Sequence, residues 1–111
     1  MNKAIYILGT KETAAINRYK IGRHKGSSKQ LLARYKTPLI NPKIYYFQST
    51  TNCIMVEKKI KNELGNYRIL DEKGKRTEWV NMNLFELKKY VSEIIHENNL
   101  KNGEIFSVEL D

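Results

Sequence analysis

Disulfides are excluded at the outset, because the 111 residues include a single cysteine, Cys53, with no partner for a bridge and no companions for a Cys/His zinc site. Cys53 therefore reads as a small core residue. Proline and glycine are scarce too, at two and six residues, which argues against a disordered or low-complexity chain. No apolar run approaches the roughly 20 residues a membrane-spanning helix needs, and the apolar stretch within Met1–Gly9 is too short for a secretory signal. We expect a soluble, intracellular protein without a membrane partner. Its length supports one hydrophobic core and no second, so residues 1–111 are expected to form a single domain, with a core over 4–97 and a tail over 98–111.

Acidic residues are also in short supply. Twelve Asp and Glu face twenty Lys and Arg, for a formal net charge of +8, and so large an excess favours a polyanionic partner, nucleic acid or an anionic membrane surface.

What is present is a set of short elements. Ala4–Leu8 is β-branched and aromatic and stops at Gly9-Thr10, as a strand does before a turn. A mostly polar link, Lys11–Arg18, leads to a second strand, Tyr19–Arg23, and two strands so closely spaced pair most simply as an antiparallel hairpin. Ser27 or Ser28 caps a helix to about Tyr35 with Leu31, Leu32 and Tyr35 on its apolar side, and Thr37-Pro38 stops it. Lys43–Thr50 is a third strand. Asn52 then caps a helix to Leu64, with Gly65 as its C-cap. Tyr67–Leu70 and Thr77–Asn81 read as short strands, the second alternatively as an extended lead into the next helix. Asn83 caps a last helix with an apolar stripe of Leu84, Leu87, Tyr90, Val91, Ile94 and Ile95, and Ile105–Leu110 could add an edge strand. The expected fold is α/β of the α+β kind, a small, mostly antiparallel three-stranded sheet flanked by helices.

Two features stand apart from this scaffold. At about 100° per residue, Cys53, Val56, Ile60 and Leu64 fall on one side of their helix with Glu57 among them. Burying a carboxylate is costly unless it is paired or binds a cation, so Glu57 is either a salt-bridge partner of an Arg or Lys or a metal ligand. In the hairpin, Tyr6 and Lys20 can face each other, with Gly22 leaving room for a substrate. A neighbouring ammonium lowers a tyrosine pKa from its reference of about 10 by favouring phenolate, which could deprotonate water, although Tyr6 also suits a core and Lys20 a solvated strand.

Ala4-Ile5-Tyr6, then Tyr19-Lys20-Ile21-Gly22-Arg23, a helix bearing Arg34, Glu57 on the next helix, and Glu78-Trp79 together resemble the GIY-YIG nuclease superfamily over residues 4 to 80. The pattern is closest to its viral and phage branch, whose second motif reads Lys-Ile-Gly followed by Arg. The resemblance implies that Tyr6 is the general base and that Lys20 stands where the second motif's tyrosine would be. It further implies that Arg34 is the helix arginine and that Glu57 holds one divalent cation, Mg²⁺ or Mn²⁺. Ala4 replaces the first motif's glycine, and the usual catalytic arginine aligns with Leu31, one helical turn before Arg34. Arg23 is the alternative phosphate contact, and His24 could serve as a proton donor or be a solvated loop residue. The implied activity is hydrolysis of phosphodiesters in nucleic acid, DNA in preference to RNA. A homodimer is one way to cut both strands. The setting would be a host cytoplasm or nucleus, or a virus particle. A non-catalytic nucleic-acid-binding domain on the same scaffold is the principal rival, and an interaction protein for an acidic partner a more distant one.

Overall fold

The computed structural model describes residues 3–101. In chain order these form β1 (Lys3–Gly9), α1 (Lys11–Ala15), β2 (Arg18–Lys25), α2 (Ser28–Tyr35), β3 (Lys43–Ser49) and α3 (Cys53–Glu63). A 3₁₀ turn (Gly65–Tyr67), β4 (Arg68–Leu70), β5 (Arg76–Asn81) and α4 (Leu84–Lys101) complete them.

The sheet has five strands in the order β3-β1-β2-β5-β4, all neighbours antiparallel, where the sequence predicted three. The short Tyr67–Leu70 and Thr77–Asn81 segments account for the difference. The first forms a strand only from Arg68, after the 3₁₀ turn, and pairs with β5, while β5 pairs with β2 through Arg18–Asn81, Tyr19–Val80 and Lys20–Trp79. β5 is thus a ladder strand as well as the lead into α4.

β1 is an interior strand between β3 and β2, and alternation sends its side chains to two different layers. Ile5 and Ile7 join Tyr19 and Ile21 of β2 beneath α3 and α4, against Val56, Ile60, Leu87 and Val91. Tyr6 and Leu8 face the other way and pack on Leu31 of α2, with Tyr35 and Phe47 beside them. A strand buried on both faces reads as an unbroken apolar run, which is why Ala4–Leu8 is the plainest signal in the sequence.

The boundaries differ from expectation where caps decide them. The link after β1 contains a short helix, α1, held by a reciprocal capping box between Thr10 and Thr13 and with no fully buried residue. Ser27, rather than Ser28, caps α2 through Gln30. Asn52 precedes α3 in a left-handed conformation, φ 50°, and makes no side-chain cap, while Leu64 is the C-cap and Gly65 opens the 3₁₀ turn. Asn83 does cap α4, its Oδ1 accepting from the backbone N–H groups of Phe85 and Glu86. Within the α4 stripe Leu87, Val91, Ile94 and Ile95 are buried but Tyr90 is exposed, and the helix continues through residues expected to belong to the tail. The edge strand expected at Ile105–Leu110 lies outside the described residues. Among those residues no helix is long and apolar enough to cross a membrane.

Candidate functional site

The site is built where the sheet parts. β5 follows β2 only as far as Lys20–Trp79, so the second half of β2 keeps β1 on one edge and has no paired strand on the other. Gly22 lies in that half, directly opposite Tyr6 of β1. Its backbone is not in the left-handed region; a Cβ there would stand 2.4 Å from the Tyr6 Oη and 2.6 Å from its Cζ. Glycine at 22 is therefore what admits the tyrosine ring, by removing a side chain rather than by adopting a special turn.

Tyr6 is buried, and its Oη lies 2.8 Å from the Tyr35 Oη. Arg34 donates from Nη2 to the same Tyr35 oxygen at 3.2 Å and lies 5.0 Å from the Tyr35 ring centroid. Lys20 approaches that ring at 5.7 Å.

Across the opening runs an alternating chain of charges. Arg23 Nη1 bonds Glu57 Oε1 at 2.5 Å, and Lys61 Nζ bonds Glu57 Oε2 at 2.9 Å and Glu78 Oε1 at 3.0 Å. Glu78 Oε2 accepts from Lys20. Glu57 is only 7% exposed, so both of its oxygens need these partners. The result is a polar cavity of about 290 Å³ lined by Tyr6, Gly22, Arg23, Arg34, Glu57 and Glu78.

Four of the residues singled out from sequence, Tyr6, Arg23, Arg34 and Glu57, thus meet at one cavity. Lys20 borders it through Glu78 and Tyr35 rather than by contact with Tyr6. Leu31, at the aligned arginine position, is wholly buried, and the guanidinium comes from the next turn of α2. His24 is not a loop residue: it sits within β2 opposite Ala4, is 8% exposed and packs edge-on to Phe47. Its Nε2 has no hydrogen-bond partner, and it does not line the cavity.

The expected lowering of the Tyr6 pKa is reversed. Burial pushes the phenol well above its ordinary value, and the hydrogen bond and charge of Tyr35 push it further, with Arg34 pulling weakly the other way. The Lys20 ammonium that was to favour phenolate is held by Glu78. For Glu78 burial acts upward, but hydrogen bonds and charge from Lys20 and Lys61 outweigh it and hold the carboxyl at about 2. Glu78, Lys61 and Tyr35 were not anticipated as site residues. Lys61 stands four residues after Glu57, a spacing that places both on one helix face, and Glu78 belongs to the Glu-Trp pair. Tyr35 carried only an apolar-helix signal.

The T5orf172 domain matches residues 3–95. The chain is 32% identical over 108 residues to Uncharacterized protein R9 of Acanthamoeba polyphaga mimivirus, covering 96% of this chain and 29% of that protein. It is 37% identical over 96 residues to Uncharacterized protein R10 of the same virus, covering 86% of this chain and 26% of R10. It therefore spans less than a third of the length of either relative. No solved structure matches. From β1 into α4, taking in every residue of the cavity, the chain belongs to the T5orf172 domain family.

Proposed function

We propose that this chain is a nuclease domain that hydrolyses phosphodiester bonds in DNA within the cavity between β2, α2 and α3. The observation that carries this is the convergence of a tyrosine hydroxyl, two guanidinium groups and a buried carboxylate on one small polar opening. The family's association with GIY-YIG-like folds supports it, as do the +8 charge and the viral origin of both relatives.

Each group has a distinct part. Arg34 has no carboxylate partner among the described residues, so its guanidinium is available to a phosphate and to the negative charge that grows in the transition state. Arg23 instead fixes Glu57. Tyr6 is the proposed general base. Its phenol is protonated in the free protein, so near neutral pH it orients the attacking water by hydrogen bonding, and it gains strength as a base only as pH rises.

No group of three His, Cys, Asp or Glu capable of holding a metal occurs among the described residues. The donor set is the Glu57 carboxylate with Glu78 near it, joined by Lys61. That set fits Mg²⁺ or Mn²⁺ of the kind held by one or two carboxylates, several waters and substrate phosphate oxygens. Such an ion would supply charge neutralisation at the scissile phosphate.

The alternative is a nucleic-acid-binding domain without activity, favoured by the protonated Tyr6 and by the two cations already on Glu57. Nicking of supercoiled plasmid with Mg²⁺ or Mn²⁺, with and without chelator, decides between them. We expect chelator-sensitive nicking that Glu57→Gln abolishes. Wild-type protein that binds plasmid but never nicks it would establish the alternative. A Glu57→Gln protein that nicks at the wild-type rate would remove Glu57 from the chemistry.

A further inference from the structure

We infer that Lys61 is the resident counter-ion of the Glu57–Glu78 pair, and that it keeps divalent cations out of the cavity until a phosphodiester draws its ammonium away. The inference rests on the nuclease reading for the incoming anion and the divalent cation, and on the structure for the placement of the charges.

Glu57 and Glu78 come from different elements, a helix and a strand, and their closest shared partner is one Nζ, 2.9 Å from the first and 3.0 Å from the second. An ammonium at hydrogen-bond distance from both carboxylates neutralises the groups that would hold a divalent cation. The Lys61 side chain is 17% exposed, so it is enclosed rather than waving in solvent. The surrounding charge makes the exclusion effective: Lys20, Arg23 and Lys61 already outnumber the two carboxylates they bind, and Arg34 adds a further positive charge at the cavity wall. A divalent ion entering the free protein would join a cluster that is already net positive.

A phosphodiester changes both terms. Its negative charge offsets the excess, and its oxygens offer the Lys61 ammonium a new acceptor. A lysine is a compact charge on a flexible four-carbon stem, so it can follow the phosphate while its backbone stays in α3. The two carboxylates would then lose their shared cation together, each keeping one other partner, Arg23 or Lys20, and could hold Mg²⁺ with help from the phosphate oxygens. Lys61 is in this sense a positioning residue that fixes the order of binding, with nucleic acid admitting the metal.

The test is Mn²⁺ binding to the 111-residue protein without nucleic acid, read by electron paramagnetic resonance of the free ion and by calorimetry. Lys61→Met keeps the stem and removes the charge, and it should bind Mn²⁺ at least tenfold more tightly than wild type. Adding Glu78→Gln to that variant should return the affinity to the wild-type level. Lys59→Met removes an ammonium whose partner is Glu97, and it should leave Mn²⁺ affinity unchanged. If Lys61→Met melts early, Lys61→Gln provides the same comparison. A neutral residue at 61 that leaves Mn²⁺ affinity at the wild-type level, or a gain that survives Glu78→Gln, would overturn the inference. Plasmid nicking separates the two ideas: tighter Mn²⁺ binding in a protein that never nicks DNA retains the counter-ion role and removes the nuclease reading. Nicking by wild type with no gain in Lys61→Met does the reverse.

Discussion

Adding one methyl group at Gly22 tests how the site is held open. In Gly22→Ala the new Cβ would meet the Tyr6 Oη at 2.4 Å and Cζ at 2.6 Å, about 1 Å inside ordinary van der Waals contact. Those atoms belong to a ring that is 1% exposed and hydrogen-bonded to Tyr35, so the ring cannot swing into solvent. Overpacking of a well-filled core costs about 1–3 kcal/mol, while replacing glycine at a compatible backbone returns about 0.4–1 kcal/mol through the unfolded chain. The expected net loss is about 1–2 kcal/mol, which for a domain near this size is a fall in Tm of roughly 4–10 °C. Thermal melts by circular dichroism measure it. Tyr6→Phe in the same background removes only the nearer of the two clashing atoms, so rescue should be partial, and the two substitutions should be non-additive by about 0.5 kcal/mol or more. A Gly22→Ala protein that melts at or above the wild-type temperature would refute the assignment of Gly22 to ring clearance.

Three other outcomes follow from the charges and the phenol. Glu78 titrates at about 2 when folded against about 4.3 when unfolded, so it stabilises the protein above pH ~4.3 and that contribution is lost as pH falls toward 2. Glu78→Gln should melt below wild type at pH 7, with the gap closing between about pH 4.3 and pH 2; a constant gap across that window counts against the pairing. If Tyr6 is the base, its raised pKa requires the nicking rate to climb with pH from 7 to 9, and Tyr6→Phe should abolish the climb. A flat profile in wild type would exclude phenolate chemistry. DNA affinity should drop steeply with salt, as phosphate contacts release counterions, in filter-binding or anisotropy titrations, and salt-independent binding would point to a protein partner.

The sequence made β1, the apolar stripe of α4 and the anomaly of Glu57 legible, because β1 is an unbroken apolar run, α4 writes a helical period and Glu57 breaks one. It marked the last two strands only as short segments and left them out of the sheet. β4 has three residues and β5 buries only Val80, so neither produces the apolar alternation that marks a strand. Without β5 in the sheet, the approach of Glu78 could not be foreseen. Lys20 does project to the same face as Tyr6, as the hairpin pattern indicated, yet its charge is engaged by a carboxylate 58 residues further on. The sign of the Tyr6 shift is set first by burial of the ring and then by Tyr35, and a hairpin pattern encodes neither. The short helix α1 was hidden for a different reason: a capping box holds it and only Ala14 packs against the core.

The long reach of Glu78 bears on when the cavity exists during folding. The β1–β2 hairpin and α2 close over short loops and can bring Tyr6, Gly22, Arg34 and Tyr35 together early, whereas β5 docks on β2 only after the chain has closed a loop of some sixty residues, and such distant pairings form slowly. A chain ending before β5 would retain Tyr6, Glu57 and both arginines, yet Lys20 and Lys61 would each lack their Glu78 partner. The charge network is therefore completed as a late event of folding, and an emerging chain would expose surplus positive charge before it possesses a finished site.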